Sequence, residues 1–275
     1  MKSGRNPTRR SRNIGTSKQG HGQDNKLVIP ESWCDSRSFY EKLSNHRVVS
    51  REIHSRDFTL IVETTRQDCV HPCTVDDIAY LLGHIPSEDM EGLSLVVLRQ
   101  PKRKEQILSP VWGRLLYIAD FGRFTGPAII LEAVNLSEPI HWSRSLTPEA
   151  ARELERLRED GHKIVSTPRE YILEPTLEAA RSTMLYRTFL HEVGHWVDWL
   201  SSVARPSRGR RLSETSAKEL EARYFSRPDS ERESAAHLYA EKLATQLRQA
   251  GVIPFERNLD PKALEAEMLR MQDFI

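Results

Sequence analysis

Two histidines and a glutamate fall within five residues of the segment TFLHEVGHWVDWL, residues 188–200. His191 and His195 are four residues apart, so on a helix their imidazoles leave the same face about 6 Å apart along the axis and can bind one ion. Catalytic zinc sites are built from neutral imidazoles of this kind. Glu192 places a carboxylate beside the ion, where it can take a proton from a water molecule that attacks a carbonyl group.

The residues around the two histidines have helical spacing. Large apolar side chains recur along the segment, at Phe189, Val193, Trp196 and Leu200. This spacing predicts a helix with one face in a core and an adjacent edge free for a ligand. Gly194 costs such a helix about 1 kcal/mol relative to alanine, so we expect another backbone to pass close to it. The alternative is an amphipathic helix whose histidines only form hydrogen bonds in the core.

The sequence HEVGHWVD resembles the active-site helix of the zincin metallopeptidases. Zincins with the longer motif have Gly and His where Asp198 and Ser201 stand here, so the resemblance is to the gluzincin type. It implies a Zn²⁺ cofactor and the hydrolysis of peptide bonds. It also implies a third metal ligand on a later helix, in the pattern glutamate, three residues, Asp, Asn or Glu, one residue, aromatic.

A second helix, predicted at residues 229–249, contains most of this pattern. Glu233, His237 and Tyr239 match its spacing, with histidine in the place of Asp, Asn or Glu. The same helix is similar to those of the ImmA/IrrE-type regulatory metallopeptidases and the lethal factor catalytic domains, through Ala236, His237, Tyr239, Ala240 and Glu241. The resemblance implies that Glu233 completes the metal site.

The sequence also allows other assignments of the third ligand. Ser230 and Glu233 have the spacing of a capping box, in which the carboxylate would serve the helix N-terminus instead of a metal ion. The third ligand would then be His237, Glu231 or Glu241. If Glu233 is the ligand, we expect His237 to orient one of the ligands by a hydrogen bond.

Two further residues are candidates for supporting roles. Asp198 lies one turn after His195, where a carboxylate can orient a ligating imidazole. Tyr224 precedes the second helix at a position where enzymes similar to this chain often keep a tyrosine. Its hydroxyl would donate a hydrogen bond to the oxyanion that forms when water adds to a carbonyl. The alternative for Tyr224 is an aromatic side chain that packs beside Phe225.

The rest of the chain must supply the elements that hold these helices. Apolar runs predict strands at residues 58–64, 93–98, 114–119 and 128–134. Capped segments predict helices at residues 74–83 and 147–161, and the histidine helix begins near Thr176. We therefore predict an α+β fold in which a small mixed sheet of about four strands packs on the histidine helix.

The resemblance to zincins implies that the edge strand of this sheet lines the substrate cleft. Residues 128–134 are our candidate for that strand, and an extended peptide would add to it through main-chain hydrogen bonds. Residues 201–215 are polar and contain Pro206 and Gly209, so they are predicted to form a mobile loop between the two halves of the site.

Charge divides the chain into a tail and a folded part. Residues 1–26 carry a net charge of +6, which leaves −5 for residues 27–275 out of a total of +1. The tail has little to bury and is predicted to be disordered. Residues 27–275 are predicted to form one zincin-like domain with its core at residues 58–250. The negative charge of this domain disfavours nucleic acid as a partner.

Cysteine content and hydropathy limit the class of protein. Three cysteines do not make a disulfide framework, and the segment CVHPC has no second cysteine pair to complete a zinc site, so we expect free thiols. No apolar stretch has the length of a membrane span, and the N-terminus lacks the apolar segment of a secretory signal. We therefore expect a cytoplasmic protein without a membrane partner, although export without a signal peptide would leave no trace.

These observations predict a zinc-dependent endopeptidase that acts on a protein or peptide substrate. His191, His195 and Glu233 bind Zn²⁺, and Glu192 is the general base. The sequence predicts neither the cleavage specificity nor the oligomeric state. The alternative is a regulatory or interaction module that binds zinc without catalysis. Glu192 argues against this alternative because a structural site has no use for a base, and structural zinc sites are usually rich in cysteine.

Overall fold

Two β-sheets and a set of helices make up the described part of the chain. The computed structural model describes residues 37–38, 40–103, 111–209 and 213–275, and residues 41–275 form one compact unit, which is the subject below. The predictions for residues 1–26 and for Cys34 lie outside the described residues. The α+β class is confirmed, with more strands than predicted.

The larger sheet comes from the first half of the chain and has the strand order β1-β2-β3-β5-β4. β2, β3 and β5 are parallel, while β1 and β4 pair antiparallel at the two sides. All four predicted strands are confirmed to within a few residues, as β2 to β5. The strands are β1 (His46–Ile53), β2 (Arg56–Glu63), β3 (Leu95–Arg99), β4 (Gly113–Asp120) and β5 (Thr125–Glu132).

Strand β1 was not predicted because its sequence, HRVVSREI, is mostly polar. Only Val49 and Ile53 of this strand are buried. Its backbone pairs with the apolar strand β2 along its full length. These hydrogen bonds hold β1 in the sheet although few of its own side chains are buried. A strand of this kind gives no strong signal in hydropathy.

The edge strand next to the histidine helix is β4, and the prediction that residues 128–134 form the edge is wrong. β5 lies between β3 and β4, and its residues Ala128 to Leu131 are fully buried. A strand that is covered on both faces has a continuous apolar run rather than an alternating one. The run AIIL therefore indicated a central strand, whereas most residues of β4 are only partly buried.

A β-bulge interrupts the pairing of β4 with β5. The register shifts by one residue between Leu116 and Ala119, so that Tyr117 and Ile118 together stand opposite Pro127. Proline has no N–H to donate to the ladder, so a break in the pairing costs least at this position. A bulge bends its strand and changes the direction of its side chains.

The smaller sheet follows in the chain and is antiparallel, in the order β6-β8-β7. Its strands are β6 (Ile140–Ser143), β7 (Lys163–Ser166) and β8 (Glu170–Glu174). The helices α1 (Val75–Leu82) and α2 (Pro148–Glu159) confirm the predictions at residues 74–83 and 147–161. Thr74 and Thr147 cap their N-termini through side-chain oxygens that accept backbone N–H groups.

One continuous helical stretch carries the histidines. It is capped at Thr176, as predicted, and alternates α-helical with π-helical segments: α3 (Leu177–Ser182), Thr183–Phe189, α4 (Leu190–Trp199), Leu200–Ala204 and α5 (Arg205–Gly209). The prediction of a mobile loop over residues 201–215 is wrong for most of that range. Pro206 lies inside this continuous stretch, just after the second π-helical segment, and the helix lacks one backbone N–H donor there.

The later helices are α6 (Glu214–Phe225), α7 (Asp229–Gln249) and α8 (Pro261–Ala266). The prediction at residues 229–249 is confirmed by α7. None of the helices in the described part of the chain is long and apolar enough to cross a membrane. Cys69 and Cys73 are buried, and no disulfide joins them. The imidazole between them, His71, is hydrogen bonded through Nε2 to the Glu63 carbonyl at 2.7 Å.

A buried ion pair joins the start of the long helical stretch to α1 and to the C-terminal segment. Arg181 on α3 donates from Nη2 and Nε to the two carboxylate oxygens of Asp77, at 2.8 and 3.0 Å. Asp77 also accepts the backbone N–H of Asn258 and that of Thr74. Arg181 donates to the Phe255 carbonyl as well, so this pair connects three parts of the chain.

We expect Asp77→Ala to lower the free energy of unfolding by about 3–5 kcal/mol, because Arg181 would keep a buried charge without its partner. Urea denaturation followed by circular dichroism measures the change. Arg158→Ala is the matched control, since its pair with Glu155 is half exposed on both sides and should change the same quantity by less than about 1 kcal/mol. Equal effects of the two variants would contradict the structural role of the buried pair.

Candidate metal centre

Helices α4 and α7 cross where Gly194 of α4 meets the backbone of Ala236 on α7. A Cβ atom at Gly194 would lie 2.7 Å from the Ala236 carbonyl oxygen and 2.9 Å from the Ala236 Cα. No larger residue fits this position without a shift of one backbone. The expectation that another backbone passes close to Gly194 is therefore confirmed, and that backbone belongs to the helix with the predicted third ligand.

The crossing places a carboxylate between the two histidines. The His191 Nε2 atom lies 3.2 Å from the Glu233 Oε2 atom, and the His195 Nε2 atom lies 3.5 Å from Oε1 of the same side chain. The rings of His191 and His195 are 4.6 Å apart between centroids and nearly perpendicular. Each imidazole thus directs its Nε2 atom toward one oxygen of a shared carboxylate.

The two nitrogen–oxygen separations suit a zinc ion, and the donor atoms that all lie within 4.8 Å of one another belong to His191, Glu233 and His237. Ligands at 2.0–2.1 Å from a tetrahedral ion are about 3.3 Å from one another, which is close to the observed nitrogen–oxygen separations of 3.2 and 3.5 Å. Two nitrogens and one carboxylate oxygen are a ligand set found in catalytic zinc sites. The Glu233 side chain is 53% exposed, so solvent can reach the site on the α7 side.

The charges around the site favour a cation. Hydrogen bonds from His191 and His195 hold the pKa of the Glu233 carboxyl well below its usual range. Burial acts to lower the pKa of His195, but its hydrogen bond to Glu233 and the charges of Glu192 and Glu233 outweigh burial and raise it. The two carboxylates thus draw a positive charge to the imidazoles, and a divalent cation would meet the same electrostatic demand.

The structure distinguishes among the carboxylates considered as the third ligand. The capping box is wrong, because α7 begins at Asp229 and its N-cap position is Pro228, so Ser230 lies inside the helix. Two other candidates pair with arginines instead: Glu231 pairs with Arg227, and Glu241 pairs with Arg156. Of the carboxylates considered, Glu233 is the one that the structure brings to the histidines.

His237 also belongs to this cluster. Its ring centroid is 4.3 Å from that of His191, with a tilt of 44°, and one donor atom each of His191, Glu233 and His237 lie within 4.8 Å of one another. Burial, followed by the positive charges of His191 and Arg156, lowers the pKa of His237 to about 4. The ring is therefore neutral at pH 7, which is the form that binds a metal ion.

Glu192 is buried beside the site and points toward the edge strand. The residue is 7% exposed, and the backbone of Leu115 on β4 is near enough to act on its carboxyl group. Burial raises the pKa of the Glu192 carboxyl, although the neighbouring histidines and the Leu115 backbone act in the opposite direction. A carboxyl group with a raised pKa is suited to accept a proton and return it.

Asp198 and Tyr224 form a network next to the histidines rather than contacts with them. Tyr224 is 2% exposed, and its hydroxyl lies 3.1 Å from that of Tyr117. Burial raises the pKa of Tyr224, and the nearby Tyr117 and Asp198 act in the same direction. Asp198 also accepts two hydrogen bonds from Arg227, at 3.0 and 3.2 Å, and one from Ser202. Among the described residues, no hydrogen bond joins Asp198 to a candidate ligand, so it orients Tyr224 and Arg227 instead of an imidazole.

No sequence pattern identified Tyr117, which lies on β4 at the bulge. Its ring packs against Trp199 and edge-on against Tyr224 and Phe225. Burial raises the pKa of Tyr117, and the negative charge of Glu192 contributes to the increase. Tyr117 is therefore close to the candidate base. The signal that could have identified it was Pro127, which stands opposite it in the neighbouring strand.

Comparisons with known proteins do not assign the chain to a family. No protein-family model matches the sequence, and neither the curated proteins nor the solved structures compared with it give a match.

We expect Gly194→Ala to lower the free energy of unfolding by about 1–3 kcal/mol, because its Cβ would press on the Ala236 backbone. In an ordinary helix the same change stabilises by about 1 kcal/mol. A loss of stability would therefore indicate the close contact with Ala236, whereas a gain would not. The variant should also lose zinc to a weak chelator faster than the wild type, since the helices that carry the ligands would move apart.

Gly83→Ala is the matched control. Gly83 ends α1 with a φ of −63°, and a Cβ there would meet only carbonyl oxygens at 3.4 and 3.5 Å. The control should be neutral or stabilised by up to about 1 kcal/mol, with its zinc release unchanged. A Gly194→Ala protein that is as stable as the wild type would contradict the close crossing of α4 and α7.

Proposed function

We propose that this protein is a zinc-dependent endopeptidase of the gluzincin type. The observation that carries the proposal is the direction of His191 Nε2 and His195 Nε2 toward one carboxylate, that of Glu233, at separations of 3.2 and 3.5 Å. Glu192, one residue from the first ligand, supplies the base that a structural zinc site would not need. The resemblance of HEVGHWVD to zincin active helices supports the same function.

Each residue has a defined task in this proposal. His191, His195 and Glu233 hold the ion on two helices whose spacing is set by Gly194 and Ala236. A bound zinc ion would polarise the peptide carbonyl and lower the pKa of water. Glu192 takes the proton of the attacking water and delivers it to the leaving amine. The backbone of Leu115 lies near this carboxyl group, so the base stands beside the edge strand.

The substrate class follows from the position of β4. Within the described residues, β4 has a paired neighbour on one side only, so its other side offers backbone groups to an extended peptide. Because Leu115 on this strand contacts Glu192, a peptide paired along β4 would bring a carbonyl group near the base. We therefore propose an extended segment of a protein or peptide as the substrate.

Tyr117 is our proposed donor to the oxyanion. It is more exposed than Tyr224, and it stands on the strand that would pair with the substrate. Tyr224 then has a positioning role: its hydroxyl lies against that of Tyr117 and is fixed in turn by Asp198. This differs from the expectation that Tyr224 itself contacts the substrate.

Glu192→Gln should retain the zinc of the wild type and lose hydrolysis by at least about 100-fold, because glutamine cannot accept the proton of water. His195→Ala should lose both zinc and hydrolysis. Zinc per chain is measured after dialysis against a weak chelator. Cleavage is measured by mass spectrometry on an unfolded protein and on a mixed peptide library.

Three results would count against this proposal. Cleavage by Glu192→Gln at the wild-type rate would exclude Glu192 as the base, and a wild-type protein without zinc would exclude the metal centre. A wild-type protein that holds one zinc but cleaves nothing would favour the non-catalytic zinc module. His84→Ala is the control, because His84 caps the end of α1 through a bond to the Tyr80 carbonyl and should affect neither quantity.

Tyr117→Phe should lower kcat by about 100-fold with little change in KM or in zinc content, because it removes a donor used in the transition state. Tyr224→Phe should have a smaller effect on kcat, since it only frees the Tyr117 hydroxyl. Steady-state kinetics on any peptide cleaved by the wild type measures both. A larger loss in Tyr224→Phe than in Tyr117→Phe would reverse the two roles.

A further inference from the structure

Four donor residues, rather than three, surround the crossing of α4 and α7. His191 and His195 are four residues apart on α4, and Glu233 and His237 are four residues apart on α7. Residues with this spacing share one helix face. The crossing at Gly194 therefore turns both pairs toward each other, and the structure places His237 as close to His191 as His195 is, with ring centroids 4.3 and 4.6 Å away.

His237 does not have the contact that an orienting role would require. An imidazole that ligates a metal through Nε2 is usually held by a hydrogen bond at Nδ1. The Nδ1 atom of His191 is buried without a hydrogen-bond partner, although the His237 ring is only 4.3 Å from the His191 ring between centroids. Among the described residues, His237 has no hydrogen bond that holds its ring in another direction. The ring is thus free to turn toward the ion.

The donor atoms are also close enough for a shared ion. One atom each of His191, Glu233 and His237 lie within 4.8 Å of one another, while ligands of a tetrahedral zinc ion are about 3.3 Å apart. A side-chain rotation can make up the difference, because His237 is only partly buried and Glu233 beside it is half exposed. The imidazole of His237 is a group that suits zinc as a ligand.

We propose that His237 is a fourth protein ligand that closes the metal site at rest and leaves it when an external ligand enters. This inference rests on the metal centre of the proposed function. A catalytic zinc site keeps one position open, so a site closed by His237 is latent until that imidazole is displaced. The protein would then show low activity toward weakly bound peptides, and only a substrate that binds well along β4 would open the site.

Azide binding to the cobalt-substituted protein tests this directly, since azide needs an open position on the ion. Wild type, His237→Ala and the control Leu238→Ala are loaded with Co²⁺, and azide is titrated while visible absorption is recorded. Leu238 is the next residue on α7, is 70% exposed and carries no donor. If the form in which His237 has left the ion is a tenth of the wild-type population or less, His237→Ala should bind azide about tenfold or more tightly than wild type and Leu238→Ala.

X-ray absorption of the zinc-loaded proteins provides the second readout. We expect three imidazole ligands in the wild type and in Leu238→Ala, and two in His237→Ala. Equal azide affinities in all three proteins, or the same imidazole number in wild type and His237→Ala, would overturn the inference. If His237→Ala fails to fold by circular dichroism, His237→Asn replaces it and should give the same results, since an asparagine amide is a poor zinc ligand.

The same samples separate this inference from the proposed metal centre. A wild type without bound metal contradicts the metal centre and with it the role of His237. A wild type with one metal ion per chain, whose azide affinity equals that of His237→Ala, contradicts the role of His237 alone and leaves the three-ligand site in place.

Discussion

The approach of Gly194 to the Ala236 backbone sets the distance between helices α4 and α7 and so the positions of the donor residues that they carry. Helix α4 is held from the other side by the core, where Phe189, Val193 and Leu200 are fully buried. Helix α7 is held at Tyr239, whose hydroxyl donates to Asp89 at 2.8 Å. With both helices fixed, one missing Cβ determines how near the histidines of one come to the carboxylate of the other. The candidate metal centre is thus a consequence of helix packing as much as of the residues that form it.

The polar residues near this crossing form two groups with different tasks. One group, around Glu233, brings this carboxylate to the imidazoles of His191 and His195. The other, around Asp198, is neutralised by Arg227 and extends through two tyrosines to β4. Buried charges are costly unless they are paired. The Asp198 group is paired with a guanidinium group, whereas the Glu233 group has titratable imidazoles as its partners.

The elements that position the site were largely predictable from sequence. The capped helices and the four apolar strands follow from local patterns, because caps and periodicity are properties of short segments. The choice of Glu233 as a partner of the histidines came from the resemblance to gluzincins instead. The order of the strands is not a property of short segments. The continuous run AIIL was assigned to the edge, although burial on both faces is what produces such a run.

Other features depended on contacts between distant parts of the chain. The position of Tyr117 depends on a bulge, which depends on a proline in the neighbouring strand. The π-helical segments before and after α4 carry no recognised sequence signal, so the helix was predicted to end near Leu200. A strand such as β1, with two buried side chains, takes its conformation from its partner. Sequence patterns miss such features because the information lies in another segment.

The bulge at Tyr117 and Ile118 also affects how the protein behaves toward copies of itself. Among the described residues, β4 is paired on one side only, and Ile118 is 79% exposed, a combination that promotes strand-to-strand aggregation. An extra residue in the middle of the strand breaks the regular repeat of donors and acceptors, so a second copy of β4 cannot pair along its full length. A short segment from Gly113 to Leu116 stays regular, which limits pairing at this edge to a few residues.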